Sequence, residues 1–317
     1  MRDSLKSSVK FNFAKEVTPV TAAKYQYKYS ICTLVTRIAE YEEMIDSFVR
    51  GGFIPDCCEY LFINNSIENR ADAYQGYNFF LQSARGEYVI ICHQDVVLLA
   101  NGIQQLEERI EELDRLDPAW AVLGNAGVTK LNRAAMHITH PEPHGENHTG
   151  NLPVKVHSLD ENFILIKNSA KLFVSHDLCG FHLYGTDLCL VAHIAGRTCW
   201  VVDFNLLHKG AGKIDASFYE LCERLENKHQ AIGHGGLVHT TCTQLSLSHS
   251  WRQQKKARFT RIYDARKNRH ATEVCRTEMF KSFGYWSYLY FWLLRRVSRP
   301  FQNLIRHIKK YRVPSAH

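Results

Sequence analysis

The chain has 317 residues, enough for one large α/β domain and an appendage, and its 45% hydrophobic and 22% charged residues exclude general disorder. The net charge of +7 is unevenly spread: Trp251 to His317 hold 17 Lys and Arg against Asp264, Glu273 and Glu278, which leaves 22 basic and 29 acidic residues in the preceding 250. A mildly acidic body with a strongly basic tail separates two roles, chemistry in the body and contact with an anionic surface in the tail.

Residues 1–27 form a polar extension without period and without the apolar core of a secretory signal, so none is expected. YSICTLVT, from Tyr29, is short and rich in β-formers and predicts the first strand. Tyr41, Met44, Ile45, Phe48 and Val49 then recur at helical spacing until Gly51-Gly52. EYLFINN predicts a second strand, Asp72 to Ala84 a second helix closed by Gly86, and EYVIICHQD a strand buried on both faces. Ile103, Leu106, Ile110 and Leu113 mark a third helix, and WAVLGNAGV a fourth strand. This alternation predicts βαβ architecture with a largely parallel sheet. HITHPEPHGENHTGN has no apolar period and predicts a long loop, and Pro141 and Pro143 forbid a helix that would align His140, His144 and His148 as metal ligands. VKVHSLDENFILIKN predicts two strands about a polar turn, FHLYGTDLCLVAHIAG a helix, TCWVVDFNLL a strand and Ser217 to His229 a last helix. The ten cysteines lie in no CxxC pair and several sit in apolar runs, which predicts buried thiols in a reducing compartment.

In open α/β sheets ligands bind past the carboxyl ends of the strands, which directs attention to Thr36-Arg37, Asn64-Asn65-Ser66 and His93-Gln94-Asp95. A carboxylate held rigidly at Asp95 suits a divalent cation that bridges nucleotide phosphates, although an aspartate after a strand also serves as a cap or turn residue. Asp187, at the start of a helix, is either a favourable charge on the helix dipole or a general base. His208, at a strand end, is either a metal ligand through its neutral imidazole or an ordinary hydrogen-bonding side chain. Gly210-Ala211-Gly212 lacks the GxxxxGK[ST] phosphate-loop pattern.

Taken together, TLVTRIAEYEEMIDSF, FINNSIENRADAYQGYNFFLQSARGEYVIICHQDV, SLDENFILIKN, GFHLYGTDLCLVAHIAG and HTTCTQL resemble, in order and spacing, the family 2-like glycosyltransferases, especially the branch whose metal motif reads HQD. The likeness runs with gaps from Tyr29 to Leu247. It implies a GT-A fold, a Rossmann-like nucleotide-diphospho-sugar transferase domain, over residues 28–250; the composition of residues 251–317 predicts a basic, aromatic helical tail after it. It also implies that Asp95 holds Mn²⁺ or Mg²⁺, with His93 in the place of the first aspartate of the more common DxD pattern; His208, from its own strand-end position, is the candidate second ligand. Thr36 and Arg37 match the loop that faces the nucleotide. Asn64, beside Asn65, matches a position that contacts the base, and Asn78 a helix residue near the diphosphate. Gln94 lies within the metal motif on the donor side. Asp187 matches the catalytic base, in a Thr-Asp pair where Glu-Asp is more usual. The implied reaction is inverting transfer of a sugar from a nucleotide-sugar donor to a hydroxyl of a glycan or lipid-linked acceptor, in surface polysaccharide biosynthesis.

In the tail, FGYWSYLYFWLL (283–294) is shorter than the ~20 apolar residues that span a bilayer, and FQNLIRHIKKYR places apolar and basic residues on opposite faces. The expectation is a peripheral protein on the inner face of the cell membrane, held by anionic lipid, with packing of the tail on the domain as the alternative. Two rivals to a glycosyltransferase are a nucleotidyltransferase, for which the turn after the first strand offers Arg37 but no glycine, and a nucleic-acid-binding protein using the tail. Aromatics bunched in one run and an acidic body argue against nucleic acid.

Overall fold

The computed structural model describes residues 24–210 and 214–267. Its core follows from period-two alternation in the central strands. In β3 (Gly86–Cys92), Tyr88, Ile90 and Cys92 face one hydrophobic layer, and Val89 and Ile91 the other. The first layer is covered by α1 (Ile38–Arg50) through Tyr41, Met44 and Phe48, and by α3 (Ile103–Leu116) through Leu106, Ile110 and Leu113. The second is covered by α2 (Ala73–Ser83), α4 (Tyr184–Ile194) and α5 (Ala216–Ile232), with Tyr77, Leu188 and Leu221 among the buried residues. Each fully buried large apolar side chain contributes about 1.5–3 kcal/mol, so both layers are needed to offset the entropy of folding.

The main sheet has seven strands in the order β2 (Cys58–Asn64), β1 (Tyr27–Val35), β3, β11 (Phe163–Lys167), β5 (Trp120–Gly124), β12 (Thr198–Val201), β9 (Val154–Val156). The β2-β1-β3 and β5-β12 pairs are parallel, while β11 lies antiparallel between β3 and β5. The sheet is therefore mixed where a largely parallel one was expected. The cause is that VKVHSLDENFILIKN forms three strands, β9, β10 (Ser158–Leu159) and β11, and β11 returns into the middle of the sheet.

Two segments that each predict one strand break and change sheets. WAVLGNAGV divides at Asn125 into β5 and β6 (Ala126–Val128), and TCWVVDFNLL divides into β12 and β13 (Leu206–His208). The second sheet runs β10, β6, β7 (Ala134–His140), β13, β4 (Val96–Leu98), with β8 (Gly145–Thr149) on β7. The expected loop around His140 is thus an antiparallel hairpin, its register running from Met136 opposite Thr149 to His140 opposite Gly145. The nine cysteines among the described residues are free thiols.

Beyond the second sheet, β14 (Leu237–His239) and β15 (Gln244–Ser246) form a small hairpin, and α6 (Trp251–Lys267) follows. Ala257 and Arg261 of α6 are buried, so the start of the basic tail packs on the body. Among the described residues no helix is long and apolar enough to cross a membrane. The aromatic run 283–294 and the amphipathic segment after it lie outside the described residues.

Candidate active site

The pairing of β13 with β4 assembles the site. His93-Gln94-Asp95 follows β3 directly and leads into β4, and β13 pairs antiparallel to β4 with His208 opposite Val96. This register brings two residues far apart in sequence together: His208 Nε2 lies 3.6 Å from Asp95 Oδ1 and 3.3 Å from His93 Nδ1. The Lys209 amide donates to the Asp95 carbonyl at 3.1 Å and closes the turn. Gly210 allows this close approach, because a Cβ at that position would stand 2.5 Å from Asp95 Oδ2 and displace the carboxylate.

Hydrogen bonds to the Tyr184 hydroxyl set the His93 tautomer. Tyr184 donates to the Glu161 carbonyl at 3.1 Å and receives from the Tyr77 hydroxyl at 3.2 Å. Its oxygen therefore accepts from His93 Nε2, 2.9 Å away, which leaves the Nδ1 lone pair turned toward His208 and Asp95. Burial, with His208 alongside, lowers the His93 pKa to about 4, so the ring is neutral near pH 7. Burial alone would raise the Asp95 carboxyl, but His208 and then His93 outweigh it and bring it down to about 2. The result is a carboxylate and two imidazoles with ligand atoms all within 4.8 Å of one another, a donor set that fits one divalent cation.

Around this cluster the structure gathers most of the residues expected at the donor site. Gln94 Oε1 accepts from the amides of Thr36 and Arg37 at 2.7 and 2.9 Å, and its Nε2 donates to Thr36 Oγ1 at 2.9 Å, so Gln94 fixes the turn after β1. The exposed Arg37 guanidinium comes within 3.9 Å of Asp95 Oδ2. Asn64, at the end of β2, accepts from the Ser66 amide and hydroxyl at 2.9 and 2.6 Å.

Three expected residues have other work. Asn65 is buried and ties its own loop, donating to the Ala71 carbonyl at 2.8 Å and accepting from the Arg70 amide at 2.9 Å. Asn78 is buried and satisfies both the carbonyl and the amide of Val174 at 2.8 and 3.1 Å, which leaves its carboxamide engaged with the fold instead of a diphosphate. Asp187 is completely buried. Its oxygens accept from the Ser175 amide and hydroxyl at 2.6 and 2.7 Å, with His229 Nε2 at 3.1 Å. A carboxylate so enclosed cannot reach an acceptor hydroxyl without the fold opening, so the expected base is placed as an internal anchor of α4.

The site also holds residues that the sequence alone does not single out. A pocket of about 600 Å³ is lined by His93, His140 and His208 together with Glu161, His182 and Thr186. Glu161 sits against the first turn of α4, where the Gly185 amide approaches its Oε1 at 3.4 Å. Burial, together with Asp160, holds its carboxyl well above the usual carboxylate range against the lowering effect of the helix amides. The only sequence signal was its place in SLDENF, at the turn before β11, which was read as a hairpin and not as a site.

No protein-family model matches the chain. Among characterised sequences it is 35% identical over 229 residues to the "ATP synthase subunits region ORF 6" protein of Fuscovulum blasticum, a match that spans 70% of this chain and 92% of that protein. The chain belongs to the family of that protein. Among solved structures, Staphylococcus aureus TarS residues 1–349 in complex with UDP-GlcNAc superposes with a TM-score of 0.43 at 11% identity, covering 64% of this chain and 66% of that one. The Pyrobaculum calidifontis mannosyltransferase PcManGT, in complex with GDP-Man and Mn²⁺, gives 0.39 at 13% identity and covers 69% and 66%.

Proposed function

We propose that the protein is a metal-dependent glycosyltransferase of the GT-A kind that moves a sugar from a nucleotide-sugar donor to a hydroxyl acceptor. The observation that carries this reading is the His93–Asp95–His208 cluster, two of whose members, His93 and His208, line a cavity large enough for a nucleotide sugar that a separate carboxylate, Glu161, also lines. The cluster would hold a divalent cation, whose chemistry there is to offset charge on the diphosphate. Arg37, exposed beside Asp95, adds a guanidinium suited to phosphate oxygens.

In this reading Glu161, not Asp187, takes the acceptor proton. The acceptor oxygen attacks the anomeric carbon, the bond from that carbon to the phosphate oxygen breaks, and the nucleoside diphosphate leaves with the bonding electrons, which inverts the anomeric centre. Burial and Asp160 raise the Glu161 pKa, which makes it a stronger base than an ordinary carboxylate. The acceptor is a glycan or lipid-linked sugar, and the basic tail would hold the enzyme at an anionic membrane face. No observation favours the nucleotidyltransferase or nucleic-acid readings. The test is a thermal-protection screen of UDP-, GDP- and dTDP-sugars with Mn²⁺ and with chelator. At least one donor should raise the Tm only with the cation, and Asp95→Ala should lose that protection. Protection by no donor, or protection that persists in chelator, would overturn the reading.

A further inference from the structure

A second cluster of ligating side chains lies on the face of β7 that points away from the pocket. Met136, Ile138 and His140 line the cavity, so the alternate residue His137 projects to the other side. The β7–β8 register sets His148 directly opposite His137, and Glu146, two residues before His148, shares that face. The segment between β12 and β13 adds Asp203. His137 Nδ1 contacts Asp203 Oδ1, and His137 Nε2 contacts Glu146 Oε1 at 2.6 Å. The rings of His137 and His148 stack with centroids 4.3 Å apart and planes within 7°.

Both nitrogens of the His137 ring thus face carboxylate oxygens. A neutral imidazole carries one N–H, so one of these contacts would set a lone pair against an anionic oxygen. Either a second proton or a cation relieves it. A cation uses His148 and Asp203 as well, because one atom each of His137, His148 and Asp203 already lie within 4.8 Å of one another, and rotation of the exposed His148 ring out of its stack on His137 brings both ring planes to a common ion. Glu146 then takes the role that carboxylates play outside a metal shell, receiving the remaining imidazole N–H and holding the ring in place.

The geometry points to a second metal site, formed by His137, His148 and Asp203 with Glu146 behind, that binds a Zn²⁺-class transition-metal ion. Two imidazoles and a carboxylate select such an ion over Mg²⁺ or Ca²⁺. Water completes the shell, since His148 and Glu146 are exposed. Bound there, the ion would fasten the β7–β8 hairpin to the segment that leads into β13 and His208. The site is independent of the proposed transfer reaction, because its ligands face away from the cavity.

The test uses metal-free full-length protein carrying Asp95→Ala, which removes the carboxylate of the first cluster. Titration with Co²⁺, followed by its visible absorption and by Zn²⁺ displacement, should show one tight site. Adding His148→Ala, an exposed position whose loss leaves the core intact, should weaken that site at least ~10-fold, and Glu146→Gln should weaken it by ~10–100-fold. Equal affinity with and without His148, or no stoichiometric Co²⁺ binding, would overturn the proposal. So would nitrogen NMR that finds both His137 nitrogens protonated and unmoved by Zn²⁺.

Discussion

The two carboxylates near the pocket differ in their surroundings, and the proposed reaction assigns the base to Glu161 for that reason. Asp187 is sealed by Ser175 and His229, while Glu161 lines the cavity. Glu161→Gln should therefore lower sugar transfer by ~10²–10⁴-fold with donor binding retained. Asp187→Asn should act mainly on stability, because it replaces one of the two accepting oxygens, which together serve the Ser175 amide, the Ser175 hydroxyl and His229, with a donor. A transfer rate that survives Glu161→Gln but collapses in a still-folded Asp187→Asn would reverse the assignment. The pH profile gives a second readout. A base works unprotonated, so with the Glu161 carboxyl held up by burial the rate should rise with pH through a limb above the ordinary carboxylate range, and Glu161→Gln should abolish that limb. Gly210→Ala should weaken cation binding with little change in Tm, since the added methyl meets the Asp95 carboxylate and no core side chain; unchanged cation affinity would show that Asp95 is not a ligand. The Thr36-Arg37 and His93-Gln94-Asp95 placements were legible because each follows an apolar run that ends at the sheet's carboxyl edge. Glu161 was not, because nothing local distinguishes a carboxylate in a polar turn from one facing a cavity. The burial of Asn78 and Asp187 was not legible, because their spacing suits a ligand site equally well as a buried hydrogen-bond anchor.

The strands and helices of the body were legible wherever the apolar period was long and uninterrupted, as in β3, α1 and α3. What escaped were short strands and changes of sheet. Asn125 is fully buried and bonds across to His137, so the single Gly124-Asn125 step within the apolar run of WAVLGNAGV carries the chain between sheets without the exposed polar loop that usually marks a turn. The β7–β8 hairpin is polar on its outer face and carries two prolines in its turn, so neither period showed. A single carboxylate holds several of these elements in register. Asp117, at the end of α3, accepts from Thr198 at 2.6 Å and Trp200 at 3.2 Å in β12, and pairs with Lys155 of β9 at 3.0 Å. Burial pushes this carboxyl up, but those bonds, Thr198 foremost, outweigh it and bring it down to about 2. Because the folded value is depressed, its contribution is complete above the unfolded pKa of ~3.9 and is lost as pH falls through 2. Asp117→Asn should cost about 1–3 kcal/mol by denaturant titration at pH 7, with the difference from the parent protein shrinking toward pH 2. A difference that is independent of pH would assign the effect to packing.

The charge division between body and tail meets a structural boundary that is less sharp than composition suggests. Arg261 of α6 is buried and makes a two-pronged ion pair with Glu226 of α5, at 2.7 and 2.9 Å, and Glu226 also accepts from the Ser246 amide at 2.6 Å. Removing the chain from Trp251 onward would strand Glu226, whereas a cut after Lys267 keeps the pair. The longer form should remain folded, and the shorter should lose about 3–5 kcal/mol, the usual penalty for breaking one side of a buried pair. Equal Tm values for the two would show that α6 is dispensable to the body. Vesicle sedimentation of the longer truncation then isolates residues 268–317: if they provide the membrane contact, this form should stay in solution while the full chain sediments with anionic lipid. The most direct measurement of the proposed activity is nucleoside diphosphate release from a panel of nucleotide sugars, with glycan and lipid-linked acceptors, in Mn²⁺ and in EDTA. Release with at least one donor should be cation-dependent, coupled to an acceptor product of inverted anomeric configuration, and lost in Asp95→Ala. Release by no donor, or release unaffected by EDTA and by Asp95→Ala, would contradict the assignment of this cavity to sugar transfer.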